Sequence, residues 1–209
     1  MKPNQIFNKK LLVEGKDDQH VIWALCEKFK VKESFDVIDC EGIDRLIEQI
    51  PVRFKQSGLE ALGVIIDADS DIGTRWDSLK GLLSTFGYIV PLNLPLNGLI
   101  LRNEDNIKVG VWIMPNNNLN GMLEDFIVFL VPKDDQLSPI VNQTLDHIES
   151  LNLNKYSLIH KSKATIHSWL SLQEDPGTPM GLAITKRFLT TEEQTCGLFI
   201  KWLDELFNT

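Results

Sequence analysis

Cysteine is scarce in this sequence. Cys26, Cys40 and Cys196 are odd in number, form no C-x-x-C pair and have no histidine at zinc-finger spacing, which excludes a disulfide framework and a sequence-legible zinc site. That usage fits a reducing cytoplasm. Long apolar runs are missing too: the longest, Phe126 to Val131, falls far short of the roughly 20 residues that a bilayer-spanning helix needs. No apolar stretch follows Met1-Lys-Pro-Asn-Gln5, so neither export nor a membrane anchor is expected. Basic residues are outnumbered, 21 Lys and Arg against 29 Asp and Glu, for a formal charge of -8. A broad basic surface that coats nucleic acid is thereby excluded, because phosphate neutralisation by Lys and Arg supplies most non-specific affinity. Any phosphate partner has to be met locally, and a carboxylate cluster holding a cation does this by reversing the local field.

What is present is the composition of a soluble globular chain: 209 residues, 43% hydrophobic and 24% charged. That length suits one α/β domain over residues 1–131 with a helical C-terminal extension, 132–209, packed on it.

The pattern begins as βα units. Lys10 to Gly15 reads as a strand and Asp17 to Lys30 as a helix with Val21, Ile22, Leu25 and Phe29 at helical spacing. Phe35 to Cys40 is a second strand, and Gly42 to Gln56 a second helix, interrupted near Pro51. Leu62 to Asp67 is a continuous β-branched run, as expected of a strand buried on both faces, and Thr74 to Phe86 a third helix. Three such units predict a doubly wound, mainly parallel sheet with right-handed crossovers. Two further strands are expected at Leu99 to Arg102 and Lys108 to Met114. Helices follow over Met122 to Phe129, Pro139 to Leu151, Lys161 to Leu172, Pro179 to Phe188 and Glu192 to Phe207. Trp23, Trp112, Trp169 and Trp202 fall in apolar settings and are expected in the core; His20, His147 and His167 have no partners at ligand spacing.

Carboxylates mark the strand ends. Glu14 closes the first strand before a Gly, and Asp67 and Asp69 close the third in Ile65-Ile-Asp-Ala-Asp-Ser-Asp71. In a doubly wound sheet, ligands bind outside the carboxyl ends of the strands. Residues two apart in extended chain point the same way, so Asp67 and Asp69 are expected to face one ion while Ala68 turns aside. Oxygen-only ligands favour a hard cation, here Mg²⁺ or Mn²⁺. Each acid taken singly also reads as a helix cap or turn former. An EF-hand loop starting at Asp67 fails, since its sixth position is Ile72 and its twelfth Ser78.

Val13-Glu14-Gly15-Lys16-Asp17-Asp18, followed later by Ile66-Asp67-Ala68-Asp69, resembles the two signature motifs of the Toprim domain of topoisomerases, primases, recombination proteins, ribosomal-RNA maturation nucleases and overcoming-lysogenization-defect nucleases. The first motif is most similar to the ribosomal-RNA maturases. Gly121-Met-Leu-Glu124-Asp125, His160-Lys-Ser-Lys163, and the stretch from Pro176-Gly-Thr-Pro-Met-Gly181 to Trp202-Leu203 resemble a small group of prokaryotic Toprim-related proteins. The resemblance implies a metal-dependent nuclease or related phosphotransferase acting on DNA or RNA. Glu14 is implied as general acid, base or metal ligand, Asp67 and Asp69 as the principal Mg²⁺ ligands, and Asp71 as an additional one. Glu124, after the last core strand, fits a second-metal role, although it and Asp125 also suit a helix start. Lys16 and Lys163 are candidate phosphate contacts, with a solvated helix start as the plainer reading of each.

With only Tyr88 and Tyr156 in the chain, neither in a convincing setting, a covalent topoisomerase is disfavoured. A primase needs zinc-binding and polymerase regions for which the chain gives no evidence. The competing expectation is a non-catalytic metal- or nucleotide-binding regulator of a repair or defence system, with a second copy of the chain or another protein as its partner.

Overall fold

In a computed structural model, which describes residues 7–209, the alternation of apolar runs and amphipathic helices becomes a five-stranded sheet with helices on both faces. The strands are β1 (Lys9–Val13), β2 (Asp36–Asp39), β3 (Ala61–Asp67), β4 (Leu99–Arg102) and β5 (Lys108–Met114), in the order β2-β1-β3-β5-β4. All neighbours are parallel except β4, which pairs antiparallel with β5 at the edge. Helix α1 (Lys16–Phe29) carries the chain from β1 outward to β2, and α2 (Ile43–Phe54) brings it back past β1 to β3. The two crossovers run in opposite directions, so right-handedness puts α1 and α2 on opposite faces. The chain therefore reverses its winding between β1 and β3, and the carboxyl ends of those two strands frame the crevice of a doubly wound α/β fold.

Alternation along the strands divides the core in two. Leu12, Leu62, Val64, Ile66, Val109, Val111 and Ile113 face α2 and α3 (Ile72–Ser84). Leu11, Val13, Ile65, Trp112 and Met114 face α1 together with the helices of the C-terminal part. Those helices are α4 (Leu123–Phe129), α5 (Leu137–Ser150), α6 (Lys161–Leu170), α7 (Met180–Thr185) and α8 (Gln194–Asn208), with a single 3-10 turn at Leu158–His160 before α6. Residues on either side of position 131 thus share one apolar cluster. Close approach of α8 to the sheet depends on Gly63 and Gly110, which pair in register. A Cβ on Gly110 would lie 2.5 Å from Leu206, and one on Gly63 would lie 2.9 Å from Phe207.

Two expectations are corrected. Helix α2 runs through Pro51 without the interruption expected near it, because Leu46 and Ile50 on its apolar face are fully buried, with Phe54 packed beside them, and this packing outweighs one missing backbone hydrogen bond. Trp23 lies outside the core and is 47% exposed. The buried stripe of α1 is Asp18, Val21, Ile22 and Leu25, and Trp23 projects from the other side. The remaining four tryptophans, Trp76, Trp112, Trp169 and Trp202, are buried. Among the described residues no helix is long and apolar enough to cross a membrane.

Candidate functional site

The carboxyl edge at the β1/β3 reversal opens into a cleft of about 390 Å³. Its lining brings together Glu14, Lys16, Asp67, Asp69, Glu124 and Lys163, six of the seven residues singled out in the sequence, and adds Asp17, Asp18 and His160. Each arrives on a different structural device. Glu14 follows β1 and accepts the Asp67 N–H on Oε1 at 2.8 Å, tying the ends of the two central strands. Asp67 ends β3, and its Oδ1 accepts the Leu123 N–H at the start of α4 at 2.9 Å. Glu124 is in the first turn of that helix, buried, and its Oε1 meets the Lys163 ammonium of α6 at 3.0 Å.

Asp69 departs from the extended geometry expected of it. Its φ is +51°, and its backbone exchanges two hydrogen bonds with Gly121, both 2.8 Å, so the strand ends at Asp67 and a tight turn follows. Ala68 turns into the opposite core, while the Asp69 carboxylate lines the cleft and pairs with Arg75 of α3. Asp71 is a correction. It caps α3, one carboxylate oxygen accepting the Thr74 N–H at 3.1 Å and the other the Thr74 hydroxyl at 2.7 Å, and it does not line the cleft. Those bonds, the hydroxyl first, hold its carboxyl below the usual range. Asp125 likewise serves structure, accepting the Met122 N–H at 2.8 Å and the Ser162 hydroxyl. Lys161 turns away to Asp146 and Glu149 of α5.

Asp18 is the site residue that sequence reasoning passed over. It is buried beneath the cleft and accepts the Gly15 N–H at 3.1 Å. Its only signal was its place at the end of Glu14-Gly-Lys-Asp-Asp18, where an acid in the first turn of a helix is unremarkable. His160, at the end of the 3-10 turn, lines the cleft as well, and its place beside Lys161 in the sequence gives no signal of that.

The electrostatics follow from crowding. Burial, then repulsion from Asp18, Glu14, Glu124 and Asp69, pushes the Asp67 carboxyl well up. Asp18 rises to about 7 through burial and the charge of Glu14. Glu14 is raised by burial and Asp69, against the Asp67 N–H and Arg75. On the other wall, the hydrogen bond to Glu124 raises Lys163.

A divalent cation fits this cleft in chemistry, since every candidate ligand is a carboxylate oxygen and a bound cation would offset the mutual repulsion. The spacing is not that of a preformed cage. Among the described residues no three His, Cys, Asp or Glu stand close enough to hold an ion, and Asp69 and Glu124 are engaged with the protein's own cations.

No curated protein and no solved structure matches this chain. A family model described as "Protein of unknown function (DUF3226)" matches residues 8–208, and the chain therefore belongs to that family.

Proposed function

We propose that the protein is a divalent-metal-dependent nuclease, or a related phosphotransferase, of Toprim-like ancestry, acting on nucleic-acid phosphodiesters in the cytoplasm. The observation that supports it is the meeting of Glu14, Asp18, Asp67, Asp69 and Glu124 with Lys16, His160 and Lys163 at the reversal point of the sheet. Mg²⁺ or Mn²⁺, when bound, would supply polarisation of a phosphoryl oxygen and acidification of a water. Asp67 would hold it, joined by Asp69 and Glu124 if the cation displaces Arg75 and Lys163 from them. Glu14 has one carboxylate oxygen fixed by the Asp67 N–H, which leaves Oε2 to exchange a proton, and burial raises its affinity for that proton above the ordinary carboxylate range. Lys16 and Lys163 line the cleft and would balance the charge that builds on a phosphate bound there.

A second reading has its own support. Asp69 and Glu124 are already paired with Arg75 and Lys163, and the chain is acidic overall, as suits a non-catalytic regulator that works through a protein partner or a second copy of itself.

The test is incubation of the purified protein with supercoiled DNA, single-stranded DNA and structured RNA in Mg²⁺ and in Mn²⁺, alongside Asp67→Asn. The variant keeps an acceptor for the Leu123 N–H and is expected to fold while losing metal affinity. Cleavage by the wild type alone supports the nuclease and names its substrate. Cleavage by neither, with metal shown to bind, favours the regulator, and cleavage by both places the chemistry elsewhere.

A further inference from the structure

Helix α1 enters the cleft with its first turn and leaves along an exposed face. Lys16, His20 and Trp23 stand at i, i+4 and i+7, so they lie in one row along the helix, opposite the buried stripe of Val21, Ile22 and Leu25. Lys16 lines the cleft and makes no ion pair among the described residues. The His20 and Trp23 rings are in contact, with centroids 5.6 Å apart and planes inclined by 36°. Trp23 is 47% exposed, although a tryptophan is the side chain with most to gain from burial. Glu27, one turn further on, is exposed and ends the row with a negative charge. From Lys16 to Trp23 the helix rises by about 10 Å.

The row is braced. Helix α7 crosses α1 at His20 so closely that a Cβ on Gly181 would stand 2.7 Å from the His20 carbonyl oxygen. The backbone beneath the two rings is thus held by packing, and a rigid ring platform loses little freedom when a second ring settles on it.

We propose that this row is a binding track for a single strand of nucleic acid leaving the cleft, with a phosphate at Lys16 and an unpaired base stacked on Trp23. The inference rests on reading the cleft as a phosphodiester site and adds to it a substrate class, single-stranded rather than duplex. A cation followed by an aromatic ring is the alternation that a strand offers in complement, phosphate then base, and every base has a face for stacking. Paired bases in a duplex keep their faces inside the stack. An apolar protein surface is matched less well, because Trp23 is flanked along the row by His20 and Glu27 rather than by an apolar rim.

Trp23 is the exposed tryptophan of the five, so its emission reports the contact directly. Wild type, Trp23→Ala and Trp23→Phe are titrated in Mg²⁺ with a fluorescein-labelled single-stranded oligothymidylate and with a duplex of the same length, following tryptophan quenching and label anisotropy. Mn²⁺ binding is measured on the same samples by calorimetry. The single strand is expected to quench the wild type, Trp23→Ala to bind it on the order of tenfold more weakly, and Trp23→Phe to retain most of the affinity. Equal quenching by duplex, strand binding without quenching, or unchanged affinity in Trp23→Ala overturns the track. If Mn²⁺ still binds and nucleic acid is still cleaved, the cleft reading survives that failure. Absence of both Mn²⁺ uptake and strand binding overturns the two together.

Discussion

Replacing Asp18 with Asn removes a charge from the most crowded part of the cleft while leaving an oxygen to accept the Gly15 N–H. Burial, then the Glu14 charge, lifts this carboxyl from its ordinary 3.8 to about 7. A difference of that size means that ionised Asp18 opposes folding by on the order of 4 kcal/mol above neutral pH. The sign follows from proton binding. The folded protein holds the Asp18 proton more tightly than the unfolded chain does, so this group lowers stability progressively as pH rises from about 4 to about 7, and no further beyond. Asn does not titrate and escapes the penalty. In metal-free buffer containing a chelator, Asp18→Asn is expected to melt up to roughly 10 °C above the wild type near pH 8, with the gap closing near pH 4. Calorimetric melting of both proteins at the two pH values is the assay. A variant less stable than the wild type near pH 8, or a gap of equal size at both values, refutes the reasoning.

Removing the ammonium group in Lys163→Met frees Glu124 for a cation, and Mn²⁺ binding by calorimetry is expected to tighten by about tenfold, or ~1.4 kcal/mol; weaker binding would mean that the lysine does not compete for the carboxylate. Lys108 donates to the carbonyls of Glu205, Leu206 and Thr209 at the C-terminal end of α8, at 3.2, 3.2 and 2.6 Å, so Lys108→Met should cost ~2–3 kcal/mol in chemical denaturation. An unchanged denaturation midpoint would show that water replaces the ammonium freely. Gly98 has a φ of +81° and its Cβ position falls against the Trp202 ring, so Gly98→Ala combines backbone strain with overpacking and should cost ~2–4 kcal/mol, more than Gly81→Ala, where a Cβ meets nothing. Equal midpoints for these two variants would argue against the close seating of Trp202.

The order of elements was legible because two periodicities carry it. Runs such as Leu62 to Asp67 have no polar face, and this marks a strand covered on both sides, while Val21, Ile22, Leu25 and their counterparts recur at helical spacing. Strand ends were legible too, which is why Glu14 and Asp67 were found. What escaped depended on contacts remote in sequence. Asp69 was expected to extend the strand, but its pairing with Gly121 bends the chain, and its carboxylate meets Arg75 from a neighbouring helix. Asp71 carries the same side chain as Asp67, and its use as the cap of α3 follows from the turn at Asp69 and from Thr74 standing three residues ahead. Trp23 scores as apolar, yet its angular position on α1 decides its exposure. Asp18 reads as an ordinary first-turn acid until α1 is docked and its side chain faces Glu14 and Asp67.

The glycine pair Gly63–Gly110 sets a condition on the order of events during synthesis. The sheet is complete once β5 has been made, yet the groove over these two glycines is shaped for Leu206 and Phe207 of α8, far later in the chain. Lys9 and Ser34, from the opposite end of the sequence, also donate to the Phe207 carbonyl, at 2.6 and 3.2 Å. Until Gln194–Asn208 emerges from the ribosome, the apolar face carrying Leu11, Ile65 and Trp112 lacks a main part of its cover. A nascent chain in that condition exposes the kind of surface that chaperones hold and that drives aggregation. The protein's vulnerable interval is therefore its own translation, and α8 is the piece that ends it.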